Sequence, residues 1–192
     1  MEKRRLLDDY WDENARDDCL EMGNWNFATR TQKIEFDSSI DPDFGFIRGF
    51  NKPSDWLRTI QLASDEFFTS PLTEGSMVDE QSLWFSNLDT IYVRYVSNDD
   101  EYGYDLSVWP QAFVRYAEWR MALEIAPKLL QTPQAVKAVE DQADKHLTLA
   151  QSKDALNEGV KFPPETGWVL ARRGSRGRGR RNDLGFRSSF TG

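Results

Sequence analysis

The heptapeptide TIYVRYV at residues 90–96 is the clearest strand signal in the chain. Ile91, Val93 and Tyr95 alternate with the residues between them, which is the two-residue period of a half-buried β-strand. Outward from this stretch the pattern changes. Short runs rich in aromatic and β-branched residues precede it, and helical periodicity lies beyond them towards both ends of the chain. Together these patterns predict an α+β fold.

Residues 24–106 favour a small antiparallel sheet or barrel of four to six strands. Turn-forming segments at 41–43, 51–53 and 74–76 separate short runs that suit strands. The predicted strands are Gln32–Phe36, Phe46–Phe50, Trp56–Leu62, Leu83–Phe85 and Thr90–Val96. We therefore predict one β-rich insertion within a helical protein.

The flank at residues 2–22 predicts a helix. Leu7, Trp11, Ala15 and Cys19 recur every four residues as an apolar stripe, and Gly23 follows as a helix stop. The opposite face is acidic. Its carboxylates belong to Asp8, Asp9, Asp12, Glu13, Asp17, Asp18 and Glu21.

The other flank predicts two more helices. Ser107 suits the N-cap of a helix over 107–130, and Pro110 suits its first turn. Pro127 is expected to kink or interrupt this helix, because proline lacks an N–H and clashes with the preceding turn. Thr132 and Pro133 predict the start of a third helix. Its apolar stripe comprises Val136, Val139, Ala143, Leu147 and Ala150.

The predicted architecture is α+β but mostly α. Segments 1–23 and 107–160 form a helical bundle, and residues 24–106 form an inserted antiparallel β-domain. Residues 161–192 form an extended, arginine-rich C-terminal arm.

Charge divides the chain sharply. Residues 171–192 carry seven arginines and one acid, a net +6. The whole chain has 24 basic and 32 acidic residues, so residues 1–170 hold seventeen basic and thirty-one acidic side chains, a net −14. An acidic body with a cationic tail indicates two surfaces suited to different partners.

The cationic tail allows two interpretations. Its arginine–glycine pattern at 172–181 is similar to segments that bind RNA through flexible charge and stacking, which predicts a nucleic-acid-binding module. Phe186 and Phe190 lie beyond this arginine–glycine stretch. Apolar anchors at the tip instead favour docking in a protein groove.

Residue types that carry catalysis are scarce. The single cysteine, Cys19, falls on an apolar stripe and is expected in the core, and His146 is expected at a surface or interface. No phosphate-binding, dinucleotide-binding or nucleophile-elbow motif occurs. We expect no enzyme activity, catalytic residue, metal or cofactor. One cysteine fits a reducing compartment, and no apolar run approaches the length of a membrane span.

Several segments, in order, resemble the head-to-tail connector proteins of tailed bacteriophages, the adaptor family that includes tail tubular protein A and the head-completion, packaged-DNA-stabilising proteins. The first is MGNWNFATR at residues 22–30, directly after the opening helix. The others are FGF at 44–46, FNKPSDWLR at 50–58, IYVRYV at 91–96, WPQAF at 109–113, AEWRMA at 117–122, AQSKDA at 150–155 and WVLARR at 168–173. The resemblance covers nearly the whole chain.

This resemblance implies a structural virion protein made in the host cytoplasm. Copies of such adaptors, twelve in the family, form a ring below the portal protein, extend the channel for double-stranded DNA and meet the tail nozzle or next tail component. By the same resemblance, the C-terminal arm binds the portal. Its candidate residues are Trp168, Arg172, Arg173, Arg176, Arg178, Arg180, Arg181, Phe186, Arg187 and Phe190.

In such a ring, the acidic face of the first helix could line the channel and repel passing DNA. The candidate channel-facing acids are Asp8, Asp9, Asp12, Glu13, Asp17 and Asp18. An acidic helix face that is only solvated is the simpler alternative.

Overall fold

The computed structural model describes residues 2–11, 15–73, 75–130 and 132–157. Its helices are α1 (Glu2–Tyr10), α2 (Arg16–Glu21), α3 (Gln111–Leu129) and α4 (Pro133–Asn157). Its strands are β1 (Thr29–Glu35), β2 (Arg48–Asn51), β3 (Trp56–Ala63), β4 (Met77–Asp79), β5 (Leu83–Ser86) and β6 (Thr90–Ser97). The α+β class is therefore confirmed, with more helical than strand residues in the described part.

Strand β6 is the centre of the first sheet, which has the antiparallel order β1-β6-β3. Ile34 of β1 pairs with Ile91, and Leu62 of β3 pairs with Val93. The predicted alternation is confirmed, since Ile91, Val93 and Tyr95 are fully buried. Because successive side chains point to opposite faces of a sheet, β6 can contribute to a core on each side.

The second sheet has the antiparallel order β2-β5-β4. Phe50 of β2 and Trp84 of β5 share one buried cluster with Leu62, Val93 and Tyr95 of the first sheet. The two sheets therefore pack against each other. The prediction missed β4, because its three residues show no aromatic or alternating pattern.

The helices build a second core on the other side of β6. Leu20 of α2, Phe113 of α3 and Ala150 of α4 pack in one cluster with Val96 of β6. The predicted apolar stripes of the first and last helices contribute to it through Cys19 and Ala150, both buried. Helical and β segments within residues 1–157 thus share a core.

Two features of the predicted helices differ in the structure. The opening helix is described as α1 and α2, on either side of residues 12–14, which lie outside the described residues. Ser107 does not cap α3; its N–H instead donates to the Asp105 carboxylate at 2.9 Å, and α3 begins at Gln111 after Pro110. Pro127 does not interrupt α3, which continues to Leu129. The helix ends only two residues after Pro127, which cannot donate the usual helical hydrogen bond to the Leu123 carbonyl.

The start of α4 is confirmed. It begins at Pro133, and the carbonyl of Thr132 accepts hydrogen bonds from the N–H groups of Ala135 and Val136. Proline suits this position because its missing N–H would have no helical partner and its φ is already helical.

Candidate functional site

Residues 22–28, the first turn of α3 and the last turns of α4 meet in an aromatic region that we call the junction. Trp25 is buried, and its indole N–H donates to the carbonyl of Cys19 at 3.2 Å. The Phe113 ring lies 4.8 Å from those of Trp25 and Trp109 and 4.9 Å from that of Phe27, centroid to centroid. Edge-to-face contacts of this kind add to the stabilisation from burial.

Gly23 is needed for packing at the junction. A Cβ atom at this position would lie 2.9 Å from the Trp25 ring. The sequence indicated Gly23 only as a helix stop. The structure adds that the absence of a side chain lets Trp25 fold back against the end of α2.

Asp154 connects the end of α4 to the junction through hydrogen bonds. It is 8% exposed, and its carboxylate accepts the backbone N–H of Asn26 at 3.0 Å. The Asn26 side-chain amide donates to the Asp154 carbonyl at 2.9 Å, and the Gln151 amide donates to the Met22 carbonyl at 2.9 Å. Buried polar groups that are satisfied in this way fix one arrangement of the segments.

Sequence reasoning missed Asp154, although a signal was present. The apolar stripe of α4 passes through Ala143, Leu147 and Ala150, and Asp154 is the next position on that face. An acid at a core position indicates a buried partner.

An apolar pocket of about 360 Å³ opens at the junction, between the start of α3 and the end of α4. Its walls are mainly the aromatic and small side chains of Trp25, Phe113, Ala112 and Ala150. Leu156 also lines it and is 83% exposed. The charged residues Lys153 and Asp154 line it as well. Its aromatic and small side chains can contact an apolar side chain of a partner.

A second polar cluster centres on Asp55, within the FNKPSDWLR segment. Its carboxylate accepts hydrogen bonds from Arg30 at 2.9 Å, from the Tyr95 hydroxyl at 3.1 Å and from the Ser97 hydroxyl at 2.5 Å. Burial would raise the pKa of Asp55, but the hydrogen bonds from Ser97 and Arg30 outweigh it and lower that pKa. An acid held ionised by three donors is a structural tie between the strands rather than a proton donor.

The candidate channel-facing acids that the structure describes, Asp8, Asp9, Asp17 and Asp18, do not form one free surface. Asp8 and Asp9 are exposed and lie 3.6 and 3.8 Å from the guanidinium groups of Arg4 and Arg5. The two residues of each pair are one helical turn apart, and each guanidinium group reduces the local negative charge.

Asp17 and Asp18 are half-buried and engaged within the chain. Asp17 accepts a hydrogen bond from the Tyr104 hydroxyl at 2.6 Å, and Asp18 accepts one from the Tyr10 hydroxyl at 2.9 Å. Burial and the bond to Asp17 raise the pKa of Tyr104 to about 12. Asp12 and Glu13 lie outside the described residues.

The core role predicted for Cys19 is confirmed. It is 1% exposed, and burial raises the pKa of its thiol to about 12, so the unreactive thiol form dominates near neutral pH. Burial also raises the pKa of Tyr116, whose hydroxyl has no hydrogen-bond partner among the described residues. His146 is half-buried and stacks on Trp119 with ring centroids 5.8 Å apart.

Two of the most exposed aromatic side chains lie on loops of the β-rich segment. Phe67 is 77% exposed in the loop after β3, and Phe44 is 67% exposed in the loop before β2. Phe44 still contacts the ring of Phe85 at 6.2 Å. Both phenyl rings are therefore accessible to solvent.

The remaining features to consider are a metal site, a membrane span and the C-terminal arm. Over residues 2–11, 15–73, 75–130 and 132–157, no three His, Cys, Asp or Glu side chains are placed to hold a metal ion. Within the same ranges, no helix is long and apolar enough to cross a membrane. The predicted arm, including Trp168, the seven arginines, Phe186 and Phe190, lies outside the described residues.

The chain was also compared with known proteins. A scan against protein-family models and a search of curated proteins found no match to it.

Proposed function

We propose that this protein is a structural adaptor of a phage virion, joining the portal to the tail. In this proposal twelve copies form a ring that extends the DNA channel, and residues 161–192 bind the portal. The described helices form a bundle within each copy, and the β-rich segment faces a neighbouring copy or the tail. Double-stranded DNA passes through the ring during ejection.

One observation carries the proposal: six of the eight segments that resemble the connector family contribute side chains to the core. FGF at 44–46 has no buried residue, and WVLARR lies outside the described residues. Trp25 of the first segment, Phe113 of the WPQAF segment and Asp154 near the end of α4 build the junction. Asp55 and Val96, from the FNKPSDWLR and IYVRYV segments, adjoin it through β3 and β6. Similarity in residues that determine packing supports a shared fold better than similarity in surface loops would.

The polar chemistry of the described residues also favours a structural role. Asp55 and Asp154, two carboxylates withdrawn from solvent, accept hydrogen bonds from backbone or side-chain donors. Both act as ties between segments that are distant in sequence. Such ties hold one conformation, which is what a component of a rigid assembly requires.

The test is portal binding by the full chain and by a variant lacking residues 171–192. An adaptor binds the cognate portal as a closed ring, and the deletion abolishes that binding. The alternative, a nucleic-acid-binding module, predicts salt-sensitive binding to DNA or RNA that the deletion abolishes while portal assembly survives. That second pattern, or a full chain that never binds the portal, would overturn the proposal.

A further inference from the structure

The loop at residues 64–70, between β3 and Pro71, displays one phenyl ring to solvent. Phe67 at its tip is 77% exposed. Its neighbour Phe68 has φ of +56°, which is rare for a bulky residue, and its ring lies 4.4 Å from the Arg94 guanidinium. One phenylalanine thus packs against the sheet, and the next is left uncovered.

Hydrogen bonds hold this loop in shape. The Asp65 carboxylate accepts the backbone N–H of Thr69 at 3.0 Å, the hydroxyl of Thr69 at 2.7 Å and the N–H of Ser70 at 2.7 Å. The N–H of Ser64 donates to the carbonyl of Ser70 at 3.2 Å. A loop that is already ordered loses little conformational entropy when its exposed ring is buried by a partner.

The same chain has a pocket suited to such a ring. The junction pocket measures about 360 Å³, within the range of about 300–1,000 Å³ typical of ligand pockets. Trp25 and Phe113 supply aromatic walls, and the rim residue Leu156 is 83% exposed. An inserted phenyl ring would cover this apolar surface.

Charge favours the same pairing. Glu66 is exposed directly beside Phe67, and Lys153 is exposed on the lining of the pocket. Insertion of Phe67 would bring opposite charges to the edge of the contact, which favours correct orientation and faster association. Phe44 is a weaker choice, because its ring already contacts Phe85.

We propose that Phe67 of one copy inserts into the junction pocket of a second copy. The Phe67 side chain and the pocket are different surfaces of the protein, so the contact between two copies is heterologous and can repeat from copy to copy. If the rotation between neighbouring copies is suitable, the repeated contact closes into an oligomeric ring. This inference rests on the proposed function, since it assumes that copies associate. It goes further by naming the contact.

Site-directed cross-linking tests the contact in the full-length protein. Glu66→Cys and Lys153→Cys are made as separate variants, and a short bismaleimide is added to each alone and to an equal mixture. Buried Cys19 is a poor target for the reagent. We expect cross-linked pairs in the mixture only, and a ladder of longer products from the double variant, with or without the portal present.

Adding Phe67→Ala to the Glu66→Cys chain should abolish the cross-link, and the matched control Phe44→Ala should not. Self-association measured by analytical ultracentrifugation should weaken about 30-fold or more with Phe67→Ala, as expected for an interface hot spot. Glu66→Lys and Lys153→Glu should each weaken association, and the double exchange should restore it.

Two results would overturn the inference. One is a ring, with or without the portal, that gives no cross-link between positions 66 and 153; the proposed function would then stand and only the contact would be wrong. The other is a cross-link that persists equally with Phe67→Ala, which would mean that something else fills the pocket. A chain that neither self-associates nor binds the portal would refute both proposals.

Discussion

In both the junction and the 64–70 loop, an aspartate carboxylate accepts hydrogen bonds from backbone N–H groups. The aromatic side chains beside it are buried at the junction, whereas Phe67 in the loop is exposed. At the junction, Asp154 binds Asn26 and closes a core around Trp25. In the loop, Asp65 binds Thr69 and Ser70 and leaves Phe67 exposed. The comparison indicates that the junction contributes to the core of the folded chain, whereas the loop leaves the Phe67 side chain exposed to solvent, as the proposed contact requires.

The largest expected difference comes from removing one phenyl ring from each region. Phe113→Ala should lower the free energy of unfolding by about 3–5 kcal/mol, because it leaves a cavity among three aromatic rings. Phe67→Ala should change it by no more than about 0.5 kcal/mol, as for most surface substitutions. Urea denaturation of both variants measures this. Equal losses of unfolding free energy in the two variants would show that the junction and the loop do not differ in their contribution to stability.

The next effect concerns the carboxylate of the junction. Asp154→Ala should lower the free energy of unfolding by about 1–3 kcal/mol, because the N–H of Asn26 loses its acceptor. Asp154→Asn retains an acceptor oxygen and should lose less. Thermal or urea unfolding of the pair measures the effect, and full stability in the alanine variant would show that this tie is dispensable.

The Asp55 cluster gives a pH-dependent test. The folded pKa of Asp55 lies below its ordinary value of 3.8. Its contribution to stability is therefore fully present above about pH 4 and is lost as the pH falls through the lower, folded pKa. Asp55→Asn should lower the free energy of unfolding at neutral pH. The free energy of unfolding of this variant should then decrease less than that of the wild type as the pH falls. Urea titrations of the wild type and the variant at pH 7 and pH 3 test this. The same difference in free energy of unfolding at both pH values would contradict it.

The smallest expected effect concerns the frame of the loop. Hydrogen bonds from Thr69 lower the pKa of Asp65, which keeps its carboxylate ionised and bound to the loop. Asp65→Ala should speed amide hydrogen exchange at residues 64–70 and leave global unfolding nearly unchanged. Glu66→Ala, on the same loop, is the control. Unaltered exchange in the aspartate variant would show that the loop does not depend on these bonds.

Local patterns were enough to predict much of the fold. The alternation in β6 and the Thr132–Pro133 start of α4 are confirmed, because each depends on neighbouring residues. The described residues contain six strands, within the predicted range of four to six, although they form two three-stranded sheets and β4 was missed. Ser107 was predicted wrongly as the N-cap, because Pro110 takes that position and α3 begins only at Gln111.

The site was less predictable, because its contacts join distant residues. Asn26 and Asp154 are 128 positions apart, and Tyr104 lies 87 positions from the Asp17 that it contacts. A helical projection placed Asp17 on an open acidic face, and nothing local revealed that Tyr104 covers it. The pocket, likewise, exists only after α3 and α4 have packed together.

The most direct test of the adaptor proposal is the mass of the full chain mixed with its cognate portal, measured by mass photometry and followed by electron cryomicroscopy of the complex. The proposal predicts a closed ring of twelve copies seated on the portal. A chain of 22.3 kDa that stays free and monomeric at every concentration, with the portal unoccupied, would contradict it.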